Sequence, residues 1–177
     1  MTAALPPRAL SVRQPSAWAI IHGGKDVENR SLGSIRAGRM GPGRIAIHAA
    51  TGMKQAEYDY LVWRWARDGV RVPRPEALPR RAIIGSVEVV QIVTESDSAW
   101  FGGEAGLLLR DPVACDPIPA PGALGYFEWQ AGGDLAEPLP WMTAWGGGSG
   151  GLFDDLPPQF ATPPHKPFGR PKPVKPG

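Results

Sequence analysis

The stretch HGGKDVENRS, His22 to Ser31, sets Gly23, Lys25, Glu28 and Arg30 close together in the chain. An ionised carboxylate only accepts hydrogen bonds, and an ammonium or guanidinium only donates them. Glu28 could therefore take two N–H donors from a cytosine or guanine edge, while Arg30 grips a carbonyl or phosphate in a bidentate fork. Lys25 would act as a point charge for phosphate. The same residues also fit a hydrolytic role, with Glu28 as general base on water and Lys25 or Arg30 stabilising the oxyanion. Glu88, in SVEVV, is the candidate second carboxylate. A purely structural reading is open too: Glu28 and Arg30 paired on a strand face, and Lys25 set against the outward carbonyls of a helix end.

Other residues could assist. Trp100 and Phe101 could stack on a base, or simply plug one end of the fold. Arg36, Arg39 and Arg44 surround a Gly-rich stretch and could follow a phosphate backbone, or form a solvated basic loop. His48 could bond a ligand, although a lone strand histidine is more often structural. Three histidines and the single Cys115 lack metal-ligand spacing, so neither a metal nor another cofactor is expected. GGGSGG does not follow a strand and open a helix, which excludes a phosphate loop.

These side chains need elements to hold them. RALSVR (8–13) reads as a first strand, with Leu10 and Val12 alternating. Pro15 suits the first turn of a short helix carrying Ala17, Trp18 and Ile21 inward, stopped by Gly23 or Gly24. Gln14 and Pro15 set that helix start rather than touch ligand. Residues 26–31 read as a strand with Asp26, Glu28 and Arg30 on one face. Residues 32–43 read as a basic loop and 44–50 as a strand. A helix is expected from about Met53 to Asp68, capped by Thr51, with Met53, Ala56, Tyr60 and Trp63 facing inward. Residues 69–81 form a Pro/Arg-rich connection. Residues 82–93 are the most strand-like, with a bulge at Gly85. Short strands at 107–110 and 114–119 precede GALGYFEW (122–129). The folded domain is expected over 6–130. Residues 131–177 read as a mostly disordered basic tail, although Trp141 and Trp145 could dock.

Composition bounds the class. With 42% apolar residues in 177, one packed domain is expected. One cysteine excludes an internal disulfide and fits a reducing, cytoplasmic setting. No apolar run approaches a membrane span and no signal-peptide pattern opens the chain. The net charge of +2 conceals asymmetry: residues 1–81 carry +8, 82–160 carry −10, and the remainder +4. Basic blocks around an acidic one suggest a face for an anionic partner.

LSVRQPSAWAIIHGGKDVENRS, GRIAIHA, IIGSVEVV, SAWFGGEAGLLLRD and GALGYFEW together resemble an ASCH domain of the PUA-like superfamily, over about residues 8–129. The most specific element is G-x-K-x-x-E-x-R: Gly23, Lys25, Glu28 and Arg30. The resemblance implies an α+β fold, a small mixed β-barrel with helices near one opening, and a cleft walled by Lys25, Glu28 and Arg30. It implies binding of RNA, other nucleic acid or a modified nucleoside, by a monomer. The alternatives are a small hydrolase, acting on an N4-acylcytidine or on RNA through Lys25 and Glu28, and a protein-interaction adaptor. In the amidohydrolase branch a threonine stands where this chain has Glu28, so binding is the preferred expectation.

Overall fold

The computed structural model describes residues 4–146. The elements run β1 (Arg8–Val12), α1 (Ser16–His22), β2 (Val27–Arg30), α2 (Leu32–Ala37), β3 (Gly43–Ala49), α3 (Gln55–Ala66), a 3-10 turn at Pro75–Ala77, β4 (Ala82–Val93), β5 (Ala105–Pro119), β6 (Tyr126–Glu128) and α4 (Pro140–Thr143). All six strands form one sheet, in the order β2-β5-β4-β3-β1-β6. β1 and β3 are parallel, and the other neighbours are antiparallel. The fold is α+β, and the sheet curls into a half-barrel.

Period-two alternation builds both sides of this sheet. On one face, Leu10 and Val12 of β1 join Ile45, Ile47 and Ala49 of β3 and Ile84, Val87 and Val89 of β4 in the main core. α1 lays Ala17, Ile20 and Ile21 into the same core. On the other face Ala9, Ala46, Ile83 and Ala120 pack together under Phe127 and Trp129. β5 is one continuous strand rather than two short ones. It survives Pro112 and Pro117 because its pairing with β4 steps at three irregularities, one of them between Ile83 and Gly85. Gly85 is required there: a Cβ would lie 2.4 Å from the Val113 carbonyl oxygen.

α1 starts as expected. Gln14 is buried, its Oε1 accepts from the Trp18 amide at 2.9 Å, and its Nε2 donates to the Pro79 carbonyl at 2.8 Å. Gly24, with φ +76, supplies the left-handed stop. Residues 32–37 depart from the expected loop and form α2, because Ser31 caps it by accepting from the Ser34 amide at 3.1 Å.

α3 also departs from expectation, in its cap and its inner face. Lys54, not Thr51, precedes it, and no side chain caps it. Tyr58, Val62 and Trp65 are buried, while Tyr60 and Trp63 are half-exposed. The reason lies past residue 130, where the folded unit was expected to end. The chain there is packed: Met142 is fully buried and Trp145 meets Tyr58 edge-on at 5.1 Å. Trp145 Nε1 also donates to Asp59 at 2.8 Å. A second core forms from Met53, Tyr58, Val62, Leu78, Met142 and Trp145, and it rotates the helix toward 58, 62 and 65. Residues 147–177, the rest of the expected tail, lie outside the described residues.

Met142→Ala should lower the unfolding free energy by about 2–5 kcal/mol, the cost of truncating a fully buried Met. Urea titration measures it. A loss below 0.5 kcal/mol, the scale of a surface change, would show that the segment after residue 130 does not belong to the core.

Candidate functional site

Lys25 lies between α1 and β2, with its backbone amide donating to the Ala19 carbonyl at 3.0 Å. This anchors the start of β2 to the last turn of α1. β2 then pairs with β5, setting Glu28 opposite Leu107 and Asn29 opposite Gly106. Gly106 permits this close approach, since a Cβ would lie 2.5 Å from a Val27 methyl.

The trio converges. Lys25 Nζ is 3.3 Å from Glu28 Oε2, and Arg30 NH2 is 3.2 Å from Glu28 Oε1. Lys25 Nζ also donates to the Val27 carbonyl, and Arg30 NH2 to the Ser11 carbonyl at 2.8 Å. The Lys25 and Glu28 side chains are 5% and 10% exposed and that of Arg30 is 23%, so this is a largely enclosed ionic cluster, not a solvated strand face. Two cations share one carboxylate, which leaves a positive surplus. Arg30 Nε is enclosed and has no hydrogen-bond partner. Strand alternation is only half kept: Asp26 is exposed, and Val27 is buried alongside Glu28.

Trp100 completes the cluster. Its ring centroid is 5.9 Å from Lys25 Nζ, and its other neighbour is Trp65 of α3, at 5.0 Å in an edge-on arrangement. Asn29 holds the loop that carries it, donating to the Trp100 carbonyl and accepting from the Gly102 amide, both at 2.8 Å. Asp26 helps, accepting from Ser98 Oγ at 2.5 Å. Ser11, Trp65 and Asn29 were not among the expected site residues. Trp65 could have been found only from the correct face of α3, and the contribution of Ser11 is a backbone carbonyl that no residue type signals.

The other expected residues scatter. Phe101 is half-buried against Gly106. Glu88 stands opposite Arg44 and Arg110 in the sheet register, on strands other than that of Glu28. Arg36 and Arg39 are exposed. Arg44 is held inside the fold: Nε and NH2 donate to Ser86 Oγ at 3.2 and 3.1 Å, and NH2 to the Asp111 carbonyl at 2.8 Å. His48 is buried between the Ser11 hydroxyl, 2.9 Å from Nδ1, and the Ala120 carbonyl, 2.9 Å from Nε2. Nε2 must carry the proton to meet a carbonyl, so Nδ1 accepts from Ser11. Burial holds the imidazole below its ordinary pKa, against the pull of the Ala120 carbonyl.

A cleft of about 410 Å³ lies elsewhere, lined by residues that include Pro75, Glu76, Arg80, Glu137 and Met142. None of Lys25, Glu28 and Arg30 borders it. Among the described residues no group of three or more His, Cys, Asp or Glu could hold a metal ion, and no helix is long and apolar enough to cross a membrane. A scan against protein-family models and a search of curated proteins both find no match for this chain.

His48 yields a pH prediction. Its folded pKa lies below the unfolded value, so the unfolded state binds the proton first as pH falls. The stability it protects is complete above roughly pH 6.5 and is lost as pH drops from there toward the folded pKa. Denaturation midpoints between pH 7.5 and 5 should show this slope, and His48→Asn should flatten it. An unchanged slope in that variant would refute the assignment.

Proposed function

We propose that this protein is an ASCH-type, PUA-like module that binds RNA, or a modified base within it, at Lys25, Glu28 and Arg30. The observation that carries the reading is the enclosed carboxylate of Glu28, shared by two cations, one of which, Lys25, lies 5.9 Å from the centre of the Trp100 ring. Each carboxylate oxygen has two acceptor directions. Glu28 can therefore hold its cations and still receive N–H donors from a base edge. The surplus positive charge suits a base carbonyl or phosphate, and the unpartnered Nε of Arg30 adds a donor. Trp100 supplies a flat face for stacking.

The geometry gives hydrolysis less support. The Lys25 ammonium already donates to Val27 and Glu28, and Glu28 is also tied to Arg30. The Lys25 ammonium is thus tied to Val27 and Glu28 rather than aimed at a developing oxyanion.

Thermal-shift titration with cytidine, N4-acetylcytidine, guanosine and short single-stranded RNA at low salt tests the proposal. At least one of them should raise the melting temperature, as any ligand selective for the folded state must. Trp100→Leu should weaken that ligand by about 1–3 kcal/mol, the value of one base–aromatic stack. If none of them stabilises the protein, or if Arg30→Met binds as the wild type does, the site is not here. Release of acetate from N4-acetylcytidine, or scission of the RNA, would replace the binding reading with the hydrolytic one.

A further inference from the structure

The helix that supports Trp100 has a second side. Trp65 points from α3 into the cluster, and Trp63, two residues earlier, leaves the helix on a different side. Tyr60 and Trp63 lie side by side there, with ring centroids 6.0 Å apart and planes inclined at 38°. The Arg67 guanidinium lies 4.9 Å from the centre of the Trp63 ring. Both rings are half-buried, Trp63 packing in part against the second core, and Arg67 is exposed.

Charge along this segment is uneven in a useful way. Glu57 is paired with Arg13 at 3.1 Å, Asp68 with Arg64 at 2.6 Å, and Asp59 accepts from Trp145 at 2.8 Å. The three acids of this stretch are thus engaged. Among the described residues neither Arg67 nor Arg71 has a carboxylate within 4.0 Å, and both are exposed. The most exposed large apolar side chains, such as Leu124, Val113 and Leu139, lie on other elements. This face therefore offers two aromatic rings and a guanidinium that is stacked on one of them but paired with no carboxylate, and the exposed Arg71 follows four residues along the chain.

We infer that Tyr60, Trp63, Arg67 and Arg71 form a platform for single-stranded RNA, carrying the strand past the cluster that takes its base. The inference rests on the nucleic-acid reading of Lys25, Glu28 and Arg30. Every base has a π-face, so half-exposed rings hold a strand without reading its sequence, and unpaired arginines alongside them take phosphates. A duplex offers its phosphates but not its π-faces, because its bases are already stacked on each other. The contact chain from Trp65 through Trp100 to Lys25 places α3 directly beside the base site.

Fluorescence anisotropy of a labelled oligouridylate tests the platform, with the full chain as wild type, Arg67→Gln/Arg71→Gln and Trp63→Leu. Circular dichroism confirms that each variant is folded. The double arginine variant should bind roughly tenfold or more weakly at low salt, and its slope of log affinity against log salt should shrink by about 1.4, or 0.7 for each lost phosphate contact. Trp63→Leu should lose affinity with its salt slope unchanged. Stabilisation by a free nucleoside should be unaffected in both. If the double variant binds oligouridylate like the wild type while Trp100→Leu does not, the platform is wrong and the base site stands. If nucleosides stabilise no form but the double variant still weakens strand binding, the base site is wrong and the platform stands. Competition by polyglutamate as effective as by unlabelled oligouridylate would mean the face reads charge alone, which overturns the proposal.

Discussion

A single guanidinium holds one edge strand of this sheet against the strand next to the opposite edge. Arg30 belongs to β2, which stands at one end of the strand order, and its NH2 donates to the Ser11 carbonyl in β1, with β5, β4 and β3 between them. A flat sheet would keep those strands far apart, since neighbours are spaced by about 4.8 Å. The contact is possible only because the sheet curls. Glu28 then makes the closure tolerable. It accepts from Arg30 on one oxygen and from Lys25 on the other, and Lys25 is fixed by the end of α1. Removing one partner of such an enclosed pair costs about 3–5 kcal/mol, because a charge is then left buried and uncompensated. The trio is consequently part of the architecture whatever it binds. Its positive surplus and the unpartnered Nε of Arg30 are not needed for closure, and those are the features that point toward a ligand.

The cluster depends on a second core as well. Trp100 reaches Lys25 from a loop, and the firm surface behind it is Trp65. Trp65 is inward because α3 is rotated by Tyr58 and Val62 packing with Met142 and Trp145. Tyr58 adds a bond from its hydroxyl to the Pro73 carbonyl at 2.6 Å. A segment that reads as tail thus fixes which face of a helix supports the candidate site. That same rotation leaves Tyr60 half-buried and Trp63 at the margin of the second core, so both uses of α3 have one cause.

The strands were legible because their signals are local. Leu10 and Val12, Ile45 and Ile47, and the β-branched run of β4 alternate within a few residues, and Gly85 marks its own irregularity. Lys25, Glu28 and Arg30 were legible as a group because they sit on one short segment whose ends are pinned by a helix stop and a strand. α2 was hidden: Gly33 breaks helical propensity, and only the Ser31 cap offsets it. The face of α3 was hidden for another reason. Met53, Ala56, Tyr60 and Trp63 make an acceptable stripe alone, and the choice between stripes was made by Met142 and Trp145, far along the chain. Widely spaced apolar residues among Gly and Pro carry no period that would announce them.

Charge was the least legible quantity, and the structure explains why. The first half of the chain is rich in arginine, which suggested a broad basic face. Five of those arginines, Arg30, Arg44, Arg74, Arg80 and Arg81, instead clamp backbone carbonyls. Arg80 is buried, bridges the Thr51 and Glu137 carbonyls, and is held by burial below its ordinary pKa. Arg81 takes the Gly132 and Asp134 carbonyls at 3.0 and 2.9 Å, and Arg74 takes that of Trp145 at 3.1 Å. Arg44 does the same for Asp111. A guanidinium suits this work, because its several donors satisfy acceptors that a Gly/Pro-rich chain leaves without partners. The exposed cations with no carboxylate partner among the described residues are Arg8 on β1, Arg36 within α2, Arg39 just after it, Lys54 before α3, and Arg67 and Arg71 after it. An anionic partner would meet these cations as separate stations along the chain rather than as one basic block. Its path would be set by where those stations lie relative to Glu28, not by the net charge of the chain.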